Sequence, residues 1–154
     1  MSRPITVDGI AGVTGLAGRD LGTSDWLEVT QEMVDRFAEA TGDHQWIHVD
    51  RERAERESPF GGPVAHGFLT LSLTPRLLPQ LVTVTGFAMG VNYGTEKVRF
   101  PAPVPVGATL RAGAVVDDAT EVTGGVQLRI TLTFEMAGGS KPACVATVLL
   151  RYYR

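Results

Sequence analysis

Two side chains in this 154-residue chain have types and spacing suited to moving a proton: Asp43 and His48. A histidine changes charge near neutrality, and a carboxylate can share a water with it. Together they can take a proton from oxygen and return it. The same residues have a plainer reading, in which Asp43 caps a turn and His48 packs against Ile47 and Val49. Residue types alone leave both open. All three histidines (His44, His48 and His66) fall within residues 37–73, FAEATGDHQWIHVDRERAERESPFGGPVAHGFLTLSL, which marks that stretch as the chemical centre of the chain.

His66 and Gly67 open an apolar helix candidate in the same stretch. Unpaired N–H groups at a helix start favour negative charge, and a glycine lets a ligand approach the backbone closely. The Gly67 N–H is therefore a candidate oxyanion donor. The plainer reading is that Gly67 only eases the chain into a tight helix, and His66 reads as a structural histidine bonded to backbone. His44 and His48 have a four-residue spacing that suits zinc on a helix. They follow a helix stop at Gly42, however, and no HExxH pattern is present, so no metal is expected. Ser58 and Ser72 lack a GxSxG elbow. Cys144 is flanked by Ala143, Val145 and Ala146 and reads as a buried, inert thiol.

The elements that must position these residues follow from periodicity and punctuation. Thr30 is a good N-cap, with Glu32 in the first turn. Met33, Val34, Phe37 and Ala38 then form an apolar face at helical spacing, and Gly42 is placed to end the helix. Asp43 and His48 thus lie on a loop just beyond a helix end. Asp50 can cap a short helix from Arg51 to about Glu57. From Gly67, Phe68, Leu69, Leu71, Leu73, Leu77, Leu78 and Leu81 fall on more than one face, which predicts a helix buried nearly all round. Pro75 and Pro79 should kink or shorten it.

Beyond Thr83 the period becomes two. Val126, Leu128, Ile130, Leu132, Phe134 and Met136 alternate with polar residues, a strong half-buried strand signal. Leu110 to Val116, Phe87 to Tyr93 with Glu96 to Phe100, and Ala143 to Tyr153 predict the other strands, and Trp26 to Val29 a short one. Asp117-Asp118 and Gly124-Gly125 are expected in the turn between two strands, and Gly138-Gly139 in another. The layout is α+β, with an antiparallel sheet wrapped around a long central helix. One domain over residues 1–154 is expected. Residues 1–25, with glycines at 9, 12, 15 and 18, read as an irregular arm and carry no dinucleotide fingerprint.

Composition narrows the function. A net charge of −3 with no basic strip gives no reason to expect nucleic acid. RERAER at 51–56 alternates in sign and reads as a solvated face. No apolar run reaches the roughly 20 residues needed to span a bilayer. With a single cysteine and no visible secretory signal, a cytoplasmic setting is expected.

The stretch FAEATGDHQWIHVD, followed by FGGPVAHGFLTLSL, resembles the MaoC-like hydratases and dehydratases, the (R)-specific enoyl-CoA hydratase family. GRDLGTSDWLEVTQ and VNYGTEKVRFPAPVPVG resemble in particular its NodN-like branch, which includes mycobacterial 3-hydroxyacyl-thioester dehydratases. The likeness covers about residues 18–115. It implies a hot-dog fold, a homodimer, no cofactor, and an acyl-CoA or acyl-carrier thioester as substrate. It implies Asp43 and His48 as the catalytic pair and Gly67 as the backbone oxyanion donor. Gln45 and Asn92 would be substrate-binding. Gln45 and Trp46 stand where the commonest family pattern has asparagine and proline. A hot-dog thioesterase and a non-catalytic acyl-thioester binding module are the alternatives, because one fold hosts several functions.

Overall fold

A computed structural model describes residues 3–154. The core is laid down by strict alternation. On β7 (Gly125–Met136), Val126, Leu128, Ile130, Leu132 and Phe134 are each 0% exposed. Their neighbours Gln127, Arg129, Thr131, Thr133 and Glu135 face outward or are only partly covered. Leu110, Ala112, Ala114 and Val116 of β6 (Thr109–Val122) and Cys144, Ala146, Val148 and Leu150 of β8 (Cys144–Tyr153) continue the same apolar face. Together with β2 (Asp20–Thr23) and β5 (Met89–Arg99) they form an antiparallel sheet in the order β2-β6-β7-β8-β5. The short β3 (Leu27–Glu28) pairs with β6 as well.

The sheet wraps a helical run that starts at Gly67. That run is α5 (Gly67–Ser72), α6 (Thr74–Leu77) and a single 3₁₀ turn over Leu78–Gln80. Pro75 explains the first break. It has no N–H to offer the Leu71 carbonyl one turn back, and the Thr74 hydroxyl donates to that carbonyl instead, at 2.7 Å. Leu69, Leu73, Leu77, Leu78 and Leu81 face the sheet. The expectation of burial all round fails: Phe68, Ser72, Pro75 and Arg76 lie on an exposed side of the run.

The N-terminal helices follow their signals. Thr30 caps α2 (Gln31–Thr41) by accepting from the Met33 N–H, and Gly42 closes it in the left-handed region at φ 80°. After a single turn, α3 (Trp46–Val49), the Asp50 side chain accepts from the Arg53 N–H and caps α4 (Arg51–Glu57).

Two further expectations are corrected. Residues 3–25 do not form an irregular arm; residues 1–2 lie outside the described residues. β1 (Ile5–Asp8) pairs in parallel with β4 (Val82–Thr85), and α1 (Gly9–Thr14) lies against the sheet with Val13 at 0% and Leu16 at 1% exposure. Gly12 is needed for close packing, since a Cβ there would stand 3.3 Å from that of Val7. The partner strand is more than seventy residues away in sequence, so no local pattern announces the pairing. Asp117-Asp118 are not in a turn but within β6, at a register shift opposite Arg129, and Asp117 accepts from the Thr131 hydroxyl at 2.6 Å. Gly124 does make the turn, at φ 79°, and Gly125 already begins β7.

Because the first 25 residues feed the core, Leu16→Ala should destabilise the fold by about 2–5 kcal/mol. A shift of that size in a denaturant midpoint checks it; an irregular arm would leave the midpoint unchanged.

Candidate active site

The loop after α2 brings Asp43 to His48. Oδ2 of Asp43 stands 4.0 Å from Nε2 of His48. That is too long for a direct hydrogen bond. The carboxylate is half exposed, at 51%, while the imidazole is almost covered, at 9%. A solvated acid therefore faces a histidine presented from the protein interior.

Several backbone bonds fix the histidine. Its Nδ1 lies 2.6 Å from the Val64 carbonyl, and the Val64 N–H donates to the Ile47 carbonyl at 3.0 Å. A carbonyl only accepts, so Nδ1 donates this bond, and Nε2 is the nitrogen turned toward Asp43. The Gln31 amide donates to the His48 carbonyl at 2.8 Å and to Asp35 Oδ1 at 2.9 Å, tying the start of α2 to α3. The Val64 segment is braced in turn: the Ala65 N–H donates to the Val104 carbonyl and the Val106 N–H to the Pro63 carbonyl.

His66, 3% exposed, behaves as the structural histidine expected. Its Nε2 donates to the backbone carbonyl of Asp43 at 3.0 Å, so it anchors the acid-bearing loop. Its ring stacks on His48, with centroids 3.9 Å apart and planes 24° from parallel. Nδ1 of His66 is buried without a partner. His44 is exposed and stays outside this group.

Asp43, His48 and His66 each offer a ligand atom within 4.8 Å of the others. A metal needs lone pairs aimed, in the ring plane, at one point roughly 2 Å away. Two stacked imidazoles send theirs side by side, so the arrangement suits hydrogen bonding to an oxygen and does not fit an ion.

Asp43, His48, His66 and Gly67 open onto a cavity of about 450 Å³, walled by Phe37, Thr41, Phe68 and Phe100. Gly67 begins α5 at this wall. A Cβ at that position would lie 3.0 Å from the Phe100 ring, so the glycine makes room for an aromatic as well as exposing backbone. Gln45 precedes α3 as its N-cap and does not line the cavity. Asn92 lines a different groove, of about 360 Å³, between β5 and the central helix. Reading the sequence did not single out Phe37, Phe68 and Phe100 as site walls, or the Val64 carbonyl. An aromatic before Pro101 at a strand end is a weak signal for the first group; a backbone carbonyl gives none.

Fold and site together define a hot-dog domain with an aspartate–histidine pair beside the start of its central helix. The MaoC like domain profile matches residues 13–135. The 3-hydroxyacyl-thioester dehydratase Z of Mycobacterium tuberculosis is 51% identical over 148 residues, covering 96% of this chain and 97% of that protein. Nodulation protein N of Rhizobium meliloti is 41% identical over 142 residues, covering 89% and 86%. The chain belongs to the MaoC-like dehydratase family. An (R)-hydratase from Pseudomonas aeruginosa superposes with a TM-score of 0.71 at 19% identity, over 95% of this chain and 86% of that one. At that identity the likeness is one of fold.

Cys144 takes no part. It is fully buried, and burial raises its thiol from 9.0 to about 11. At pH 8 a disulfide thiol reagent should leave the folded chain untouched and titrate one thiol per chain after denaturation. The unfolded thiol loses its proton first as pH rises, so this group's stabilising contribution is complete below pH 9 and lost between about 9 and 11. Denaturant midpoints across that range check the sign.

Proposed function

We propose that the chain is a hydro-lyase that adds water to a trans-2-enoyl thioester, giving the (R)-3-hydroxyacyl thioester, and removes it in reverse. The observation that carries this reading is Nε2 of His48 facing the Asp43 carboxylate across 4.0 Å in an aromatic-walled cavity. A water oxygen about 2.8 Å from each group fits that gap. As this oxygen bonds to C3, one of its protons passes to the pair, and the pair returns a proton to C2. The sum is H and OH across the double bond. The charge that gathers on the thioester oxygen meets the Gly67 N–H at the start of α5. No cofactor is required, because the thioester itself acidifies C2. Gln45 and Asn92, which lie outside the cavity, take no part in proton transfer in this reading.

The chain works as a homodimer in this proposal. Among the described residues β5 pairs only with β8, and along it Met89, Val91 and Tyr93 are 57%, 36% and 55% exposed. An open edge carrying apolar side chains is a surface that proteins normally cover. Among the described residues no helix is long and apolar enough to cross a membrane. The lone reduced cysteine is in keeping with a cytoplasmic setting.

Asp43→Asn and His48→Gln should each fold normally and lose about a hundredfold to ten-thousandfold in hydration of crotonyl-CoA. Loss of absorbance from the conjugated thioester reports the rate. Near-normal rates in both variants would remove the pair from the mechanism. Release of free thiol without hydration would instead make the protein a thioesterase.

A further inference from the structure

The turn that carries His48 is too short to hold itself. α3 has four residues, and nucleating a helix fixes several residues for its first hydrogen bond. The Gln31 amide holds the His48 carbonyl, and the Val64 segment holds the His48 ring and the Ile47 carbonyl. Those ties act beyond the first residue, Trp46. The start of the turn is held from another side, by α4.

Arg53 of α4 lays its guanidinium over the Trp46 ring, 4.3 Å from the centroid. A planar, delocalised cation suits the face of an indole. Arg53 is itself fixed. Its Nε donates to Glu57 at 2.8 Å, and its backbone N–H to the capping carboxylate of Asp50 at 3.1 Å. Arg51, two residues earlier, pairs with Glu55 and stands over no ring among the described residues. Its side chain is 74% exposed against 45% for Arg53, so at Arg53 the charge run is more than a solvated face.

The backbone joins Trp46 to the histidine. The His48 N–H donates to the Gln45 carbonyl at 3.0 Å, and the Asp50 N–H to the Trp46 carbonyl at 3.1 Å. The two peptide units flanking Trp46 therefore set the turn. Neither Trp46 nor Arg53 lines the cavity of Asp43 and His48, so their contact reaches the reaction centre only through that turn.

We infer that Trp46 and Arg53 are a positioning pair, whose stack of α4 on the start of α3 holds Nε2 of His48 at its 4.0 Å separation from Asp43. The inference deepens the hydro-lyase reading and rests on it for what the held nitrogen does. A partly exposed stack of this kind is worth about two- to fivefold in the population of the held turn. The backbone admits a substitute for it. Gln45 has φ −56° and ψ 137°, near the polyproline conformation that proline accepts in the residue before it. Trp46 is the first residue of α3, and its N–H donates to no protein group among the described residues. Proline fits such a position and fixes the start of a turn through its own ring.

The test reads the full chain in two ways. Amide hydrogen exchange at His48 and Asp50 reports the turn independently of any reaction, and kcat and KM for crotonyl-CoA report catalysis. Arg53→Ala should speed exchange at both amides about two- to fivefold and lower kcat by a similar factor, with KM unchanged. Adding Trp46→Pro to Arg53→Ala should restore both. Arg51→Ala, which removes an ion pair from the same helix but no stack, should move neither. Unchanged exchange in Arg53→Ala, equal effects of the two arginine variants, or no recovery with Trp46→Pro would overturn the pair. So would exchange that moves while kcat does not. Faster exchange restored by Trp46→Pro, in a protein that hydrates no crotonyl-CoA, would leave the held turn standing and overturn the hydro-lyase reading. Normal hydration with exchange unmoved in Arg53→Ala would do the reverse.

Discussion

The Val64 carbonyl accepts a hydrogen bond from Nδ1 of His48 at 2.6 Å in the protein interior. Because a carbonyl has no proton to give, Nδ1 is the donor in this contact and Nε2 is left unengaged by it. It also holds the ring plane, so the free nitrogen points at Asp43. Leaving either group unpaired in that interior would cost about 1–3 kcal/mol, which keeps the histidine from turning away. The segment bearing Val64 is itself held by the strand-like stretch around Val104 and Val106. Nε2 of His48 is thus positioned by a chain of backbone bonds running back to the region between β5 and β6.

Asp43 is held differently. Its carboxylate stays half exposed, while its carbonyl is gripped by His66, whose ring supports His48 from below. One residue after that histidine comes Gly67. The acid, the base and the candidate oxyanion donor are therefore linked through a single buried imidazole. The stacking that organises them also separates the site from a metal centre, because stacked rings cannot aim two lone pairs at one ion. Asp43 sits on a loop and His48 on the single turn of α3, and both are pinned to α2, to the start of the central helix and to the Val64 segment. This is how a site on irregular backbone acquires fixed distances.

Much of this architecture is legible in the chain. The alternation from Val126 to Met136 marks a strand with one buried face, and it is one. Thr30, Gly42 and Asp50 mark helix ends, and each acts there through the contact its type predicts. Pro75 marks a break in the central helix and makes it. The illegible parts share a physical character. β1 is defined by pairing with β4, far away in sequence, and its alternation of Ile5 and Val7 with Thr6 and Asp8 is too short to announce a strand. The Asp117-Asp118 pair has turn chemistry, yet the ladder between β6 and β7 carries it through as a bulge. The apolar run from Phe68 onward suggests burial on every side, and the single chain leaves one side open.

The same division runs through the site. Residue types, helix punctuation and the likeness of FAEATGDHQWIHVD and FGGPVAHGFLTLSL to a known family were enough to place Asp43, His48 and Gly67 together in one functional stretch. That information is local: it concerns which groups are present and how far apart they lie along the chain. The bond from His48 to the Val64 carbonyl, the supporting role of His66, the aromatic wall at Phe100 and the displacement of Asn92 into another groove were decided only by tertiary structure. Each depends on a contact between segments that the sequence keeps apart, and on directions of lone pairs and ring planes that a one-dimensional pattern does not carry.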